Sequence, residues 1–177
     1  VKTRLEGFLT KMECLNLYRD FLRDTELLVR KIKCEDKLLA YESGKTNPYQ
    51  LRKIFRDFNF YAQKGRSLGE RMHNAFVHAK NNKAAKIVVI GSDSPNLPGR
   101  FIEEAFRKLD LYDIVLGPSD DGGYYLIGLK EPCSGMFKGI KWSSDKVLKQ
   151  TLIAAKKYKK KLAMLQMWYD IDDLESL

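Results

Sequence analysis

The sequence has no long apolar run and few cysteines, and each shortage excludes a class of protein. None of its hydrophobic stretches approaches the roughly 20 residues that a membrane-spanning helix needs. The three cysteines, Cys14, Cys34 and Cys133, are far apart and form no C-x-x-C pair, which argues against structural zinc and against a disulfide framework. The chain opens at Val1 with nothing that resembles a signal peptide. We therefore expect a cytoplasmic protein whose natural N-terminus lies upstream.

Several catalytic motifs are also missing. The sequence contains no G-x-x-x-x-G-K-[ST] P-loop and no G-x-G-x-x-G fingerprint, and the segment 91–95 is not a G-x-S-x-G nucleophile elbow. The only histidines, His73 and His78, are five positions apart and do not share a helical face. A P-loop NTPase, a Rossmann dehydrogenase and a serine hydrolase are therefore unsupported.

The composition is that of one basic globular domain. The chain has 177 residues, 44% of them hydrophobic and 31% charged, and 32 Lys and Arg against 23 Asp and Glu give a net charge of +9. This excess suits a polyanionic partner, either nucleic acid or the phosphates of a nucleotide. Residues 146–161 include seven lysines, which we interpret as a solvated helix end. Nucleic-acid binding there is less well supported, because no aromatic platform accompanies the lysines.

Helical and strand patterns alternate along the whole chain. Thr10 and Glu13 form a capping-box signature, and the apolar spacing that follows predicts a helix to about residue 33. The β-branched run at 86–90 predicts a buried strand of the kind found in parallel sheets. The remaining elements are predicted as helices at 47–55, 68–81, 98–109 and 144–158 and strands at 37–41, 58–62, 113–117, 124–128 and 163–169. This order indicates a single α/β domain over residues 1–177.

Aspartates follow three of the predicted strands. In open α/β sheets ligands bind beyond the carboxyl ends of the strands, which is where Asp93, the Asp120–Asp121 pair and the Asp170 and Asp172 pair fall. Carboxylates gathered in one crevice repel each other unless a cation or a proton neutralises them, and Mg²⁺ prefers oxygen ligands. We therefore predict a divalent metal with a phosphate-bearing substrate. Helix caps and Asp-Gly turns are the alternative explanation for each group.

Two further features suggest substrate contacts. The Gly122–Gly123 pair permits either a close backbone approach to a ligand or a positive φ angle, and the sequence does not separate the two. Arg71 lies at a predicted helix start, where the helix dipole disfavours a cation, which favours a binding role.

The ordered set of motifs resembles a known family. The segments are VKTRL (1–5), LGERM (68–72), IGSDSP (90–95), LGP (116–118), DDGGYYL (120–126), WS (142–143) and DID (170–172). In this order they make the chain similar throughout to the GT-A-like glycosyltransferases described as selenodomain-associated or arsenosugar-biosynthesis proteins, within the nucleotide-diphospho-sugar transferase superfamily. The resemblance implies a three-layer α/β sandwich with a mostly parallel sheet, whose first strand is missing from this chain.

The resemblance also implies roles for individual residues. Asp93 matches the metal-binding aspartate of the superfamily, and Asp170 and Asp172 resemble a C-terminal D-x-D motif that supplies further metal ligands. Among the nucleotide-binding candidates, Lys2 and Arg4 match the basic end of a nucleotide loop. The loop 120–123 matches the acceptor side, with Asp120 or Asp121 as the catalytic base. The other substrate-binding candidates are Arg71, Ser92, Gly122 and Gly123.

The expected activity follows from these assignments. We expect Mg²⁺- or Mn²⁺-dependent transfer of a sugar from a nucleotide sugar to a small acceptor. Nucleotidylyl transfer on the same scaffold and a catalytically silent binding domain are the alternatives.

Overall fold

The structure is a computed structural model that describes residues 5, 7–44, 47–171, 173, 176 and 177. Within these residues the chain forms five α-helices: α1 (Lys11–Lys31), α2 (Pro48–Ile54), α3 (Leu68–Asn81), α4 (Gly99–Lys108) and α5 (Val147–Lys157). The same residues form six strands: β1 (Leu38–Tyr41), β2 (Asn59–Ala62), β3 (Ile87–Ile90), β4 (Ile114–Pro118), β5 (Tyr124–Leu129) and β6 (Leu162–Met164). Every predicted helix and strand is present, although β6 ends well before residue 169. A short 3₁₀ turn at Ser134–Met136 was not predicted.

Local sequence signals fix the start of the longest helix. The hydroxyl of Thr10 accepts from the backbone N–H of Glu13 at 3.3 Å, and the Glu13 carboxylate accepts from the backbone N–H of Thr10 at 2.8 Å. This is the predicted capping box, and the Thr10 hydrogen bonds hold the pKa of Glu13 below its usual value. At α4 the prediction was one residue early, because Pro98 is the extended N-cap and the helix begins at Gly99.

The main sheet has the order β3-β5-β4-β6, and β1 and β2 form a separate parallel pair. In the main sheet β4 and β6 are parallel, whereas β5 runs antiparallel to both β3 and β4. Three of the four strands therefore point the same way, and the α/β fold class is confirmed, with a main sheet that is mixed because β5 runs against its neighbours. The run at 86–90 was predicted as a buried strand of the parallel-sheet kind, but the residues of β3 are only half-buried and its partner among the described strands, β5, runs antiparallel. The short connection from β4 to β5 permits only an antiparallel return, since a parallel crossover needs about a dozen residues or more.

The main sheet lies between two helical layers. On one face, Val88 and Ile90 of β3 pack with side chains of α1 and α4, including Phe101. On the other face, Ile87 and Val89 pack with a cluster that includes residues of α3 and α5. The β-branched run at 87–90 is thus apolar because it contributes to both cores. Because β3, β4 and β6 run in the same direction, their carboxyl ends lie at the same edge of this sheet.

Candidate functional site

The site is built where the loops after β3 and β4 meet the segment that follows β6. The backbone N–H of Ile171 donates to the carbonyl oxygen of Asp93 at 2.9 Å. Trp168 donates its backbone N–H to Pro118 at 3.0 Å and accepts from Asp120 at 3.2 Å through its carbonyl oxygen. Residues 168–171 therefore join both loops. Because β3, β4 and β6 point the same way, all three connections leave the sheet at one edge, as predicted.

Asp170 is held between two buried serines. The Ser94 hydroxyl donates to Oδ1 in a very short hydrogen bond, and the Ser119 hydroxyl donates to Oδ2 at 3.3 Å. The two serines are only 6% and 2% exposed. Each carboxylate oxygen of Asp170 thus keeps one further lone pair for a cation or a proton.

The electrostatics place Asp93 and Asp121 beside Asp170. Burial raises the pKa of Asp170 above its usual value, and the negative charges of Asp121 and Asp93 raise it further, although the hydrogen bonds from Ser94 and Ser119 oppose the shift. Two carboxylates from the loops after β3 and β4 therefore act on Asp170. The unfavourable free energy of holding these negative charges close together falls when a cation binds between them.

The loop after β4 also has a structural role. Asp121 accepts from the backbone N–H of Gly123 at 2.8 Å, which is the Asx-type turn that the alternative reading predicts. Gly122 has a φ of 85°, and a Cβ there would lie 2.3 Å from the carbonyl oxygen of Asp145. Gly122 therefore combines a positive φ angle with a close backbone approach, and the approaching backbone is that of Asp145. Ligand contacts of Gly122 and Gly123 stay a prediction.

The remaining predicted residues divide into two groups. Arg71 forms an ion pair with Glu42 at 3.5 Å and donates to the carbonyl oxygen of Gly65 at 3.3 Å. These contacts hold Arg71 at the start of α3 and do not involve the three aspartates. Lys2, Arg4 and Asp172 lie outside the described residues.

Sequence reasoning missed several residues at the site. The Tyr18 hydroxyl of α1 lies 3.1 Å from the Ser92 hydroxyl, although the spacing of α1 marked Tyr18 only as part of an apolar face. Asn96 accepts from the indole N–H of Trp168 at 3.2 Å and donates to the Tyr169 hydroxyl at 2.5 Å. No local motif marks these residues, because their roles depend on contacts across the fold.

The donor set fits a hard divalent cation only in part. Among the described residues no group of three or more Asp, Glu, His or Cys side chains is arranged to hold a metal alone. Mg²⁺ commonly takes one or two protein carboxylates and completes its shell with water and substrate phosphate oxygens. The oxygen donors of Asp93 and Asp170, and the raised pKa of Asp170, fit this incomplete type of site.

Among the described residues, none of the helices has the length and apolar character of a membrane span.

The chain has the fold of the nucleotide-diphospho-sugar transferases. The chain superposes on the crystal structure of a proposed nucleotide-diphospho-sugar transferase from Desulfovibrio desulfuricans G20 with a TM-score of 0.91 and 32% identity, covering 98% of this chain and 76% of that one. The chain belongs to the family described as "Uncharacterized protein conserved in bacteria (DUF2064)", whose model matches residues 27–144. The matched region includes Asp93, Asp120 and Asp121 but ends before Asp170.

Two further proteins are similar. The chain is 26% identical over 135 residues to the 2-phospho-L-lactate guanylyltransferase of Methanocaldococcus sp. (strain FS406-22), a match that covers 73% of this chain and 54% of the relative. The chain thus spans about half the length of that curated relative. It also superposes on 4-diphosphocytidyl-2C-methyl-D-erythritol synthase with a TM-score of 0.57 at 13% identity, covering 89% of this chain and 83% of that one, a likeness of fold alone.

Proposed function

We propose that the chain carries a metal-dependent glycosyl transferase site whose donor is a nucleotide-diphospho-sugar. The observation that carries this proposal is the convergence of Asp93, Asp121 and Asp170 at the carboxyl edge of the sheet. Asp93 and Asp170 come from distant parts of the chain, and the Ile171–Asp93 backbone bond ties them together. Their carboxylates, with Asp172, are the proposed ligands of Mg²⁺ or Mn²⁺. These residues would hold the cation, which when bound would supply positive charge for the diphosphate leaving group.

The residues around these ligands have separate proposed roles. Ser94 and Ser119 fix the Asp170 carboxylate from opposite sides, so that it is positioned before substrate arrives. Lys2 and Arg4 supply positive charge to the departing diphosphate. Arg71, Gly122 and Gly123 stay substrate-binding candidates, as does Ser92, whose hydroxyl lies 3.1 Å from the Tyr18 hydroxyl.

Asp121 is the preferred base for the acceptor. Its carboxylate acts electrostatically on Asp170 and is oriented by the Gly123 N–H. An acceptor hydroxyl within hydrogen-bond reach of Asp121 transfers its proton to that carboxylate as the new glycosidic bond forms. Asp120, which is exposed like Asp121, is the alternative base.

Nucleotidylyl transfer is the second candidate. The similarity to a guanylyltransferase favours it. The same carboxylates serve either reaction, because both need a cation beside a di- or triphosphate. The two differ in the bond broken: a sugar–phosphate bond in one, and a bond between the α- and β-phosphates in the other.

Binding and product assays on the wild-type chain test both candidates. We expect Mn²⁺ to increase the affinity for pyrophosphate and for nucleotides in calorimetry, and bound ligand to raise the melting temperature. Release of nucleoside diphosphate from a nucleotide sugar supports glycosyl transfer, whereas release of pyrophosphate from a triphosphate supports nucleotidylyl transfer. An affinity that does not change when Mn²⁺ is removed contradicts the metal-dependent site.

A further inference from the structure

Three aromatic rings, those of Phe101, Trp168 and Tyr169, contact one another in a row that begins in the core. Phe101, which is 2% exposed, contacts Trp168 edge-on at a centroid distance of 5.6 Å. Trp168 in turn stacks on Tyr169 at 5.1 Å with an interplanar angle of 22°. Both Trp168 and Tyr169 are half-buried. Within the described part of the chain, Trp168 is the only aromatic ring that contacts Tyr169.

Asn96 fixes the outer two rings. Its amide oxygen accepts from the indole N–H of Trp168 at 3.2 Å, and its amide nitrogen donates to the Tyr169 hydroxyl at 2.5 Å. The Tyr169 ring is thus held on one face by Trp168 and at its hydroxyl by Asn96. Such a ring loses little conformational entropy when a ligand packs on it.

Tyr169 belongs to the segment that carries Asp170 into the carboxylate cluster. Tyr169 directly precedes Asp170, and Asn96 follows Ser94, which bonds to Asp170, by two residues. Asp121, which is not one of the proposed metal ligands, offers hydrogen-bond acceptors to a ligand, since an ionised carboxylate does not donate. An apolar ring face together with these acceptors suits a ligand with hydroxyl donors and a C–H face, which describes a sugar ring better than a nucleobase.

We propose that Tyr169 stacks against the sugar ring at this site, and that Asn96 is the positioning residue that holds Tyr169 in place. This inference rests on the proposed function, because it assumes that the aspartates bind the diphosphate of a nucleotide sugar. It adds a specificity-determining contact that acts on the sugar and not on the phosphates.

Calorimetry in Mn²⁺ with three kinds of ligand separates these contacts. The ligands are inorganic pyrophosphate, the diphosphates UDP and GDP, and the matching donors UDP-glucose and GDP-mannose. We expect Tyr169→Leu to weaken binding of the preferred nucleotide sugar by about tenfold, the size of one aromatic contact of roughly 1.4 kcal/mol. Its affinity for pyrophosphate and for the free diphosphate should stay within about twofold of wild type.

Two milder variants and one control distinguish the loss of the stacking contact from a general folding defect. Tyr169→Phe keeps the ring and should retain most of the sugar affinity, whereas Asn96→Ala frees the ring and should give an intermediate loss. Asn96→Ala should also change the tryptophan fluorescence, because it removes the hydrogen bond of the Trp168 indole. Tyr112→Leu, which removes a 36%-exposed tyrosine before β4, at the opposite edge of the sheet, should leave all three affinities unchanged.

The possible failures are distinguishable. If wild type binds nucleotide sugars and Tyr169→Leu binds them equally well, the stacking role is overturned while the proposed function stands. A loss that already appears with UDP or GDP overturns the assignment to the sugar and makes Tyr169 a base contact. If wild type shows no Mn²⁺-dependent binding of pyrophosphate, nucleotide or nucleotide sugar, the proposed function and this inference fail together.

Discussion

The backbone N–H of Ile171 donates to the carbonyl oxygen of Asp93 at 2.9 Å. This bond places the side chain of Asp170 next to the loop that carries Asp93, and Ser94 of the same loop donates to the Asp170 carboxylate. Two aspartates that are far apart in sequence are therefore neighbours. Backbone hydrogen bonds and buried serines hold these loops together. Removing one carboxylate should therefore leave the loops in place.

Asp93→Ala is the direct test of the proposed metal site. We expect the variant to lose Mn²⁺-dependent affinity for nucleotides, because one of the carboxylates that bind the cation is gone. Calorimetry measures the loss, and circular dichroism should show an unchanged fold. Asp20→Ala is the matched control, since Asp20 is exposed on α1 and forms an ion pair with Arg23, away from the three aspartates. Nucleotide affinity that stays metal-dependent in Asp93→Ala would remove Asp93 from the site.

The sequence was sufficient to predict most of the fold. The capping box at Thr10 and the β-branched run at 87–90 identify their elements because local hydrogen bonding and apolar periodicity determine both. The direction of β5 was missed although the short connection after Pro118 contains that information. Which strands pair is otherwise set by tertiary contacts that leave no local pattern.

The site was predictable only where a residue lies at the end of a strand. Asp93, the pair at 120–121 and Asp170 were predicted this way, because parallel strands bring their carboxyl ends together, although β6 ends at Met164, well before Asp170. Tyr18, Asn96 and Ser119 could not be predicted, since their partners Ser92, Trp168 and Asp170 come from other parts of the chain. A hydrogen bond between distant side chains has no signature in a single sequence.

Asp170→Asn should make the ligand-free protein more stable at neutral pH. Burial and the charges of Asp121 and Asp93 raise the folded-state pKa of Asp170 above its ordinary value of 3.8. A carboxyl with a raised folded pKa contributes its full stability below the unfolded pKa and loses it as the pH rises through the folded pKa. The neutral amide escapes this loss, so the melting temperature of the variant should exceed that of wild type at pH 7.5 by roughly 2–4 °C for each kcal/mol recovered.

The pH profile distinguishes this explanation from better packing. The advantage of Asp170→Asn should shrink as the pH falls towards 3.8, the ordinary pKa of the carboxyl, because the folded wild-type carboxyl is then increasingly protonated. Thermal melts from pH 4 to 7.5 without divalent cations measure it. A variant that is less stable than wild type at pH 7.5, or an advantage independent of pH, would contradict the electrostatic account.

Gly122→Ala and Gly123→Ala should differ in stability although they are neighbours. At Gly122 the new Cβ meets the backbone of Asp145 at 2.3 Å and the φ of 85° strains any L-residue. The cost should be about 1–3 kcal/mol, because the facing atoms are backbone and cannot turn aside. At Gly123 the nearest atom is the Asp121 carboxylate at 3.0 Å, which can rotate. Urea denaturation of both variants gives the comparison, and equal costs would show that Asp145 moves away without penalty.

His73 should make the protein sensitive to mild acid. Its Nδ1 is buried with no hydrogen-bond partner among the described residues, and burial, with a smaller contribution from the charge of Lys138, lowers the pKa of the imidazole below its ordinary value of 6.5. The unfolded chain therefore binds a proton at this position more readily than the folded chain does. Stability contributed by neutral His73 is complete above pH 6.5 and declines as the pH falls through 6.5 towards the lower folded pKa.

His73→Leu removes this proton uptake and fills the same partly buried position with an apolar side chain. We expect the free energy of unfolding of wild type, relative to the variant, to fall between pH 7.5 and pH 5.5, because only wild type has the titrating imidazole. Chemical denaturation at each pH gives the difference, and the contributions of all other groups cancel in it when the substitution leaves them unperturbed. A wild-type-minus-variant difference that is constant over this range would mean that His73 keeps its ordinary pKa in the folded protein, and that the burial of Nδ1 has no electrostatic cost.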